Sequence, residues 1–126
     1  MFPPEMQMKK YFTTFLFLIL ALLAVPVFAD DFQDGMNAAN RGDFKAAFDI
    51  WEPLGKRGNA LAQFNLGLMY DKGEGVKRDY KMAAKWYKLA ARQGISSGQF
   101  NLGWLYSKGK GVGQSFKRTI MWYARA

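Results

Sequence analysis

Ser107 and Lys110 are the two residues whose spacing could serve nucleophilic chemistry. They fit the letters S-x-x-K, which serine enzymes acting on β-lactams or cell-wall peptides combine with S-D-N and K-T-G. Neither companion motif occurs in the sequence. The glycines around Ser107 also predict a loop, whereas such a nucleophile needs the start of a helix to hold it beside its base. We interpret the match as accidental and keep a β-lactam hydrolase or cell-wall-peptide enzyme as the alternative function.

The remaining composition favours binding over catalysis. The chain contains no cysteine and no histidine, so disulfides, thiolate ligands and the commonest general base are excluded. The phosphate-binding patterns G-x-x-x-x-G-K-[ST] and G-x-G-x-x-G do not occur either. The sequence therefore predicts no enzyme, no cofactor and no metal site.

Residues 63–90 and 99–126 are two copies of one unit, offset by 36 positions. Fourteen of the 28 aligned positions are identical. A shorter copy precedes them, in which residues 43–47 align with residues 79–83 at the same offset. Asp43, Asp79 and Ser115 form a series at this offset, and each is a residue type that caps helix N-termini. A period of this size predicts stacked repeats, which present a long open surface.

Each unit predicts a pair of helices. In the first helix, a mid-helix glycine such as Gly67 costs about 1 kcal/mol relative to alanine, so we expect a neighbouring helix or ring to approach it closely. A glycine-rich loop over residues 72–76 suits positive φ angles. The second helix is predicted from Asp79 to about Gln93, and Gly94 ends it. The inward-facing residues are Ala62, Leu66, Met69 and Tyr70 on the first helix, and Ala83, Trp86, Tyr87 and Ala90 on the second.

Two features depart from this regular pattern. Pro53 lacks a backbone N–H and clashes with the preceding turn, so the first unit's second helix is predicted to end or kink near residues 49–52. Lys81, Lys85, Lys88 and Arg92 line one face of the next such helix. This row is either an anion-binding stripe or a solvated outer face, and the pattern favours the solvated face.

The pattern A-x-A-Q-F-N-L-G-x-x-Y-x-x-G-x-G-V-x-x-D-Y-x-x-A-x-x-W-Y, best seen over residues 60–94, resembles the Sel-one-like repeat family. The resemblance implies an all-α fold, an α-α superhelix of about two and a half to three antiparallel helix pairs, with units at about 30–58, 59–94 and 95–126. The first unit departs from the family, because its short turn at residues 40–43 looks more like that of a tetratricopeptide repeat. The family implies an adaptor that binds proteins or peptides on its inner face. Some cysteine-rich exported members are described as β-lactamases, which supports the alternative above.

The resemblance also implies that the first helix of each pair lines the inner face. Aromatic and apolar side chains there would suit peptide anchors. We call the predicted partner-binding residues the groove set: Leu61, Phe64, Leu68, Asp71, Phe100, Trp104 and Ser107. Ser97 shares this spacing, and Phe32, Met36 and Ala39 match it in the first unit. For Phe64 and Phe100 the alternative is that their rings fill the gap between helices, whereas Trp104 is expected to be exposed in the groove.

The N-terminal segment predicts export. Lys9 and Lys10 precede an apolar run over residues 11–25, and Ala29 provides a small residue for cleavage. We therefore predict a signal peptide at residues 1–29, with Met8 as a possible true start, and a periplasmic or secreted protein. An uncleaved anchor helix is the alternative.

The charge of the exported part favours acidic partners. Residues 30–126 carry 16 Lys and Arg against 9 Asp and Glu, a net charge of +7. The expected partner is a protein or peptide of the cell envelope or host, and export argues against nucleic acid. Binding to a polyanion of the envelope is a further alternative.

Overall fold

A computed structural model describes residues 28–126, which form six helices and no strand. The helices are α1 (Phe28–Asn40), α2 (Phe44–Lys56), α3 (Ala60–Lys72), α4 (Tyr80–Arg92), α5 (Ser96–Lys108) and α6 (Phe116–Arg125). The extensive contacts all join helices that are consecutive in the chain, as in a solenoid. The predicted all-α repeat fold is confirmed.

The predicted signal segment lies almost wholly outside the described residues, and the expected cleavage point after Ala29 falls in the first turn of α1. Among residues 28–126, no helix has the length and apolar character needed to cross a bilayer.

The three predicted N-caps begin α2, α4 and α6. Asp43 accepts a hydrogen bond from the amide of Ala46 at 3.2 Å, and Asp79 accepts one from Met82 at 3.1 Å. Ser115 Oγ accepts the equivalent bond at 3.3 Å. Each cap satisfies an amide that the helix itself cannot pair. The 36-residue series therefore marks the start of every second helix.

Helix α2 does not end where Pro53 predicts. It continues past the proline to Lys56, so the predicted end near residues 49–52 is wrong. Pro53 is exposed and lies in the last turn, where it removes one backbone hydrogen bond, the one that the carbonyl of Asp49 would accept. Burial of Trp51 and Leu54 on the same turns offsets that loss.

A glycine lies under an aromatic ring inside each helix pair. A Cβ built on Gly67 would lie 2.6 Å from Cε1 of Tyr87, and one on Gly103 would lie 2.7 Å from Cδ1 of Tyr123. Gly35 has the same relation to Trp51 in the first unit. The expectation that Gly67 admits a ring is confirmed, and it extends to all three pairs.

Buried glutamines join each unit to the preceding one. Gln63 Nε2 donates to the carbonyl of Gly55 at 3.0 Å, and Gln99 Nε2 donates to that of Ala91 at 3.1 Å. The carbonyls of Gly55 and Ala91 accept these bonds in addition to one from the turn amide three residues later. Within the second unit, the exposed Gln93 also donates from its Nε2 to Gln63 Oε1 at 2.8 Å.

The glycine-rich loops set the position of each unit along the preceding one. Gly75 and Gly111 have φ angles of +74° and +69°. A Cβ on Gly75 would lie 2.6 Å from the carbonyl oxygen of Phe44, and one on Gly111 would strike the backbone of Tyr80. Each loop therefore rests directly on the first turn of the preceding unit's second helix.

Gly111→Ala is expected to destabilise the fold by about 2 kcal/mol, because it combines an unfavourable φ with a clash against backbone that cannot rotate away. Gly113→Ala is the control in the same loop, since a Cβ added to Gly113 would meet no atom within 4 Å and its φ is not positive. Thermal unfolding followed by circular dichroism should show a drop of about 8–16 °C for the first variant and less than about 3 °C for the second. Equal melting temperatures would contradict the loop contact.

The core consists of two clusters, one centred on α2 and α3 and one on α4 and α5. Tyr106 and Trp122 are buried, whereas Tyr70 is only half-buried. Tyr70, which is predicted to face inward, packs against both clusters without being fully covered, and its ring contacts Phe48 edge-on. Helix α6 leaves Phe116 and Ile120 exposed, at 72% and 69%.

Candidate functional site

The groove set on α3 has one exposed and two half-buried apolar side chains. Leu61 is 50% exposed. Phe64 is half-buried, and its ring centroid lies 5.9 Å from that of Tyr87. Leu68 is half-buried. Phe64 therefore packs between the helices of its own pair, as the alternative interpretation expects.

The same positions on α5 are more open. Phe100 stacks on Tyr123, with centroids 5.2 Å apart, yet remains 54% exposed. Trp104 is half-buried and packs against the second core cluster. The groove set thus offers two exposed apolar side chains, Leu61 and Phe100, at the start of successive first helices.

A cavity of about 180 Å³ lies where α1, α2 and α3 meet. We call it the first-junction cavity. Its lining is Met36, Ala39, Phe44, Trp51, Asn65, Leu68, Met69, Lys72 and Glu74. The structure brings together Met36, Ala39 and Leu68, all placed on the inner face by the repeat pattern. The cavity is smaller than a typical small-molecule pocket of about 300–1,000 Å³, so it suits one or two apolar side chains.

Asn65 is a lining residue to which sequence reasoning assigned no role. Its Nδ2 donates to Met36 Sδ at 3.6 Å, and a thioether is a weak acceptor. An amide side chain can make up to four hydrogen bonds, so Asn65 retains donors and acceptors for a bound peptide group. The sequence signal that could have indicated a role for Asn65 is that the aligned residue of the next unit, Asn101, is also asparagine.

One unit later, the place that corresponds to the first-junction cavity is filled by the protein's own side chains. Trp104 stands where Leu68 stands one unit earlier, and Lys110 replaces Glu74. Lys110 Nζ lies 5.0 Å from the ring centroid of Trp104 and 4.9 Å from that of Tyr80, within the range of cation–π attraction. Trp104 is therefore less exposed than expected, with an ammonium over its ring.

Asp71 belongs to an internal hydrogen-bond network instead of forming a free polar end of the groove. Tyr87 donates its hydroxyl to Asp71 Oδ2 at 2.9 Å. The pKa of Tyr87 is raised, first by burial and then by the charge and hydrogen bond of Asp71, while a hydrogen bond from Asn101 lowers it. The network ties α3, α4 and α5 together.

Ser107 lies in the last turn of α5, not in the predicted loop. Its Oγ donates to the carbonyl of Trp104 at 2.6 Å, while the Lys110 ammonium lies over two rings. The hydroxyl of Ser107, the serine of the S-x-x-K match, is thus bonded to a backbone carbonyl. Among the described residues, no group of three or more carboxylates could hold a metal ion.

Comparison with known proteins identifies the repeat. The Sel1 repeat model matches residues 60–95 and 96–126, which include both glycine-rich loops and both ring-bearing helices described above. The chain belongs to the Sel1 repeat family. Proteins of this family are helical scaffolds that generally mediate protein interactions. A search of curated proteins finds no match.

Solved structures of other Sel1 repeat proteins share the fold. A Sel1 repeat protein from Oxalobacter formigenes is 32% identical, with a TM-score of 0.71 over 75% of this chain and 39% of its own. The protein c5321, a protective antigen of uropathogenic Escherichia coli strains with an SLR fold, is 32% identical, with a TM-score of 0.74 over 78% of this chain and 22% of its own. The chain therefore spans less than half the length of both relatives.

Proposed function

We propose that this Sel1 repeat protein is an exported scaffold that binds a segment of a partner protein along the face formed by α1, α3 and α5. The first-junction cavity carries the proposal, because it is open, mostly apolar and sized for an anchoring side chain. Apolar pockets that a partner's side chain fills are where interface energy concentrates. The N-terminal segment supports export, and the expected partner is a protein of the cell envelope or of a host.

The arrangement of the cavity suits a peptide with an apolar anchor. Met36, Leu68 and Met69 line its apolar part, and unbranched methionines adapt to differently shaped side chains. Asn65 provides an amide for the backbone of the bound segment. Lys72 and Glu74 provide one charge of each sign in the lining. Leu61 on α3 and Phe100 on α5 add exposed apolar area to the same face.

Leu68→Trp is expected to close the cavity, because it introduces the residue that fills the matching place at the next junction. A peptide selected on the wild-type protein from a random library should bind this variant at least about tenfold more weakly, a loss of about 1.4 kcal/mol. Fluorescence anisotropy measures the affinity. Ile120→Ala is the control, because Ile120 is exposed and apolar but lies on α6. Unchanged affinity in Leu68→Trp would refute the assignment of the cavity.

Trp104→Ala tests the second part of the same face. We expect it to weaken binding of a selected peptide that reaches α5, while the helical circular-dichroism signal persists, since Trp104 is only half-buried. Lys110→Ala separates the ring from the ammonium above it: it removes the cation–π contact and exposes more of the indole. If Trp104→Ala unfolds the protein while Lys110→Ala leaves affinity unchanged, Trp104 is structural and binding is confined to the first junction.

A further inference from the structure

A second cavity, of about 230 Å³, lies between α4, α5 and the glycine-rich loop that follows α5. We call it the lysine cavity. Its lining is Lys81, Ala84, Lys85, Lys88, Leu102, Tyr106, Gly111 and Val112. None of these residues belongs to the groove set or to the first-junction cavity, so the two cavities are separate surfaces.

The lysine cavity has a cationic wall and an apolar floor. Lys81, Lys85 and Lys88 follow one another at i, i+4 and i+7 on α4, a spacing that places them on one helix face. Its lining includes no carboxylate, and neither ion pair formed by Lys45 or Lys56 reaches it. Three members of the predicted lysine and arginine row therefore form one wall, and Arg92 does not take part.

Further positive charge stands behind the cavity. Arg118 Nη1 donates to the hydroxyl of Tyr106 at 3.3 Å, and its guanidinium carbon lies 5.4 Å from the centroid of that ring. The tyrosine hydroxyl is thereby held beside a cation. The lining lysines of α4, together with the Arg118 guanidinium bonded to the lining Tyr106, favour a ligand that carries negative charge.

The same place one unit earlier is filled by the protein's own side chains. Phe48 occupies the position that corresponds to Ala84, and its ring packs edge-on against Tyr70 with centroids 5.8 Å apart. Asp49 and Glu52 occupy the positions of Lys85 and Lys88. The first unit thus combines an aromatic ring with two carboxylates at the site where the second unit has a small floor residue and two lysines.

In the filled site one unit earlier, the carboxylate of Glu52 acts electrostatically on Tyr70. The pKa of Tyr70 is raised, first by burial and then by the negative charge of Glu52. Asp49 meanwhile pairs with Lys45 at 3.2 Å, and Lys45 corresponds to Lys81. The filled site therefore shows which chemical groups satisfy this geometry: a ring over the floor, and carboxylates beside the tyrosine and the first lysine.

We infer that the lysine cavity binds an acidic segment of a partner protein, with an aromatic side chain over its apolar floor and flanking carboxylates paired with Lys81, Lys85 and Lys88. The ligand would supply from outside what Phe48, Asp49 and Glu52 supply in the first unit. An inorganic phosphate would satisfy the lysines but would leave the half-buried Val112 and the rest of the apolar lining without a contact, so the peptide is the better match.

The probe is the blocked, fluorescein-labelled pentapeptide EDFDE, titrated with the whole chain and followed by anisotropy. It should bind saturably, and raising the salt from about 50 to 500 mM should weaken binding several-fold because exposed charges are screened. The variant EDADE tests the ring and QNFNQ tests the carboxylates. Each is expected to bind at least about tenfold more weakly.

Two variants of the protein test the location. Ala84→Phe introduces the residue of the first unit and should abolish binding by filling the cavity. Lys85→Ala/Lys88→Ala should weaken binding about tenfold without altering the packed floor. Lys45→Ala/Lys56→Ala removes the same charge from the matched helix one unit earlier and should leave affinity within about twofold. Circular dichroism verifies folding, and the double-lysine variant keeps the test valid if Ala84→Phe fails to fold.

Several results would overturn the inference. If EDADE binds as well as EDFDE and polyphosphate displaces both, the surface is a general polyanion site with no use for the floor. If Lys45→Ala/Lys56→Ala weakens binding as much as Lys85→Ala/Lys88→Ala, net charge alone is responsible. Leu68→Trp should leave EDFDE affinity unchanged, so failure here is distinguishable from failure of the first-junction proposal.

Discussion

Trp86→Ala is expected to cost about 3–5 kcal/mol of unfolding free energy, the range for removing a buried ring. Trp86 is only 5% exposed and packs in the first core cluster, although it belongs to α4. A Cβ built on Gly55 would lie 3.0 Å from its Cζ3, so the indole fills the space between α2 and α4. A small domain has about 5–15 kcal/mol in total. Thermal melts should therefore show a fall of at least about 12 °C or loss of the cooperative transition.

Trp86→Phe is the matched control. The indole N–H of Trp86 has no hydrogen-bond partner among the described residues, so phenylalanine removes ring volume without breaking a polar contact. We expect a cost below about 2 kcal/mol. If Trp86→Ala melts within about 2 °C of the wild type, the ring does not bridge the units as described.

Gly67→Ala is expected to destabilise the protein by about 1–3 kcal/mol, against the trend for a mid-helix glycine. Helix propensity alone would make the alanine more stable by about 1 kcal/mol. The new methyl would lie 2.6 Å from Cε1 of Tyr87, however, and Tyr87 is fully buried with its hydroxyl bonded to Asp71. The ring cannot move aside, so overpacking outweighs propensity.

Gly103→Ala provides the comparison, because it meets the same ring position in the third unit. Tyr123 is 38% exposed and lies near the end of α6, so its ring can rotate away. We expect this variant to be neutral or slightly stabilised. Chemical denaturation measures the change in unfolding free energy of both variants, and the sign of that change is the test. An increase for Gly67→Ala would show that Tyr87 is not confined.

The architecture could be predicted because its determinants are local. The caps that begin α2, α4 and α6 need only one side chain and an amide three residues later. The rings that cover the glycines, Trp51, Tyr87 and Tyr123, repeat at the same offset of 36 residues. Pro53 misled the prediction because a proline in the last turn removes a single hydrogen bond, and burial of the adjacent Trp51 and Leu54 against other helices offsets that loss. Ser107 was assigned to a loop because the glycines that follow it mask the end of α5.

The candidate sites could be predicted only in outline. The repeat pattern placed Leu68 and Trp104 on one face, but it could not show that the first place is open and the second is filled. That difference depends on Lys110 reaching across to Tyr80, a contact between residues 30 positions apart. The lysine cavity likewise depends on Ala84 replacing Phe48, a change that periodicity does not distinguish from ordinary variation.

The resting of each glycine-rich loop on the preceding helix start has a consequence for how such a molecule can change length. Gly75 and Gly111 make the same contact one repeat apart, so a block of 36 residues contains both the loop that makes this contact and the helix start that receives it. Duplicating or excising such a block should therefore preserve the contacts between the units on either side of it. Genetic gain or loss of whole blocks could then lengthen or shorten the protein without redesigning what remains.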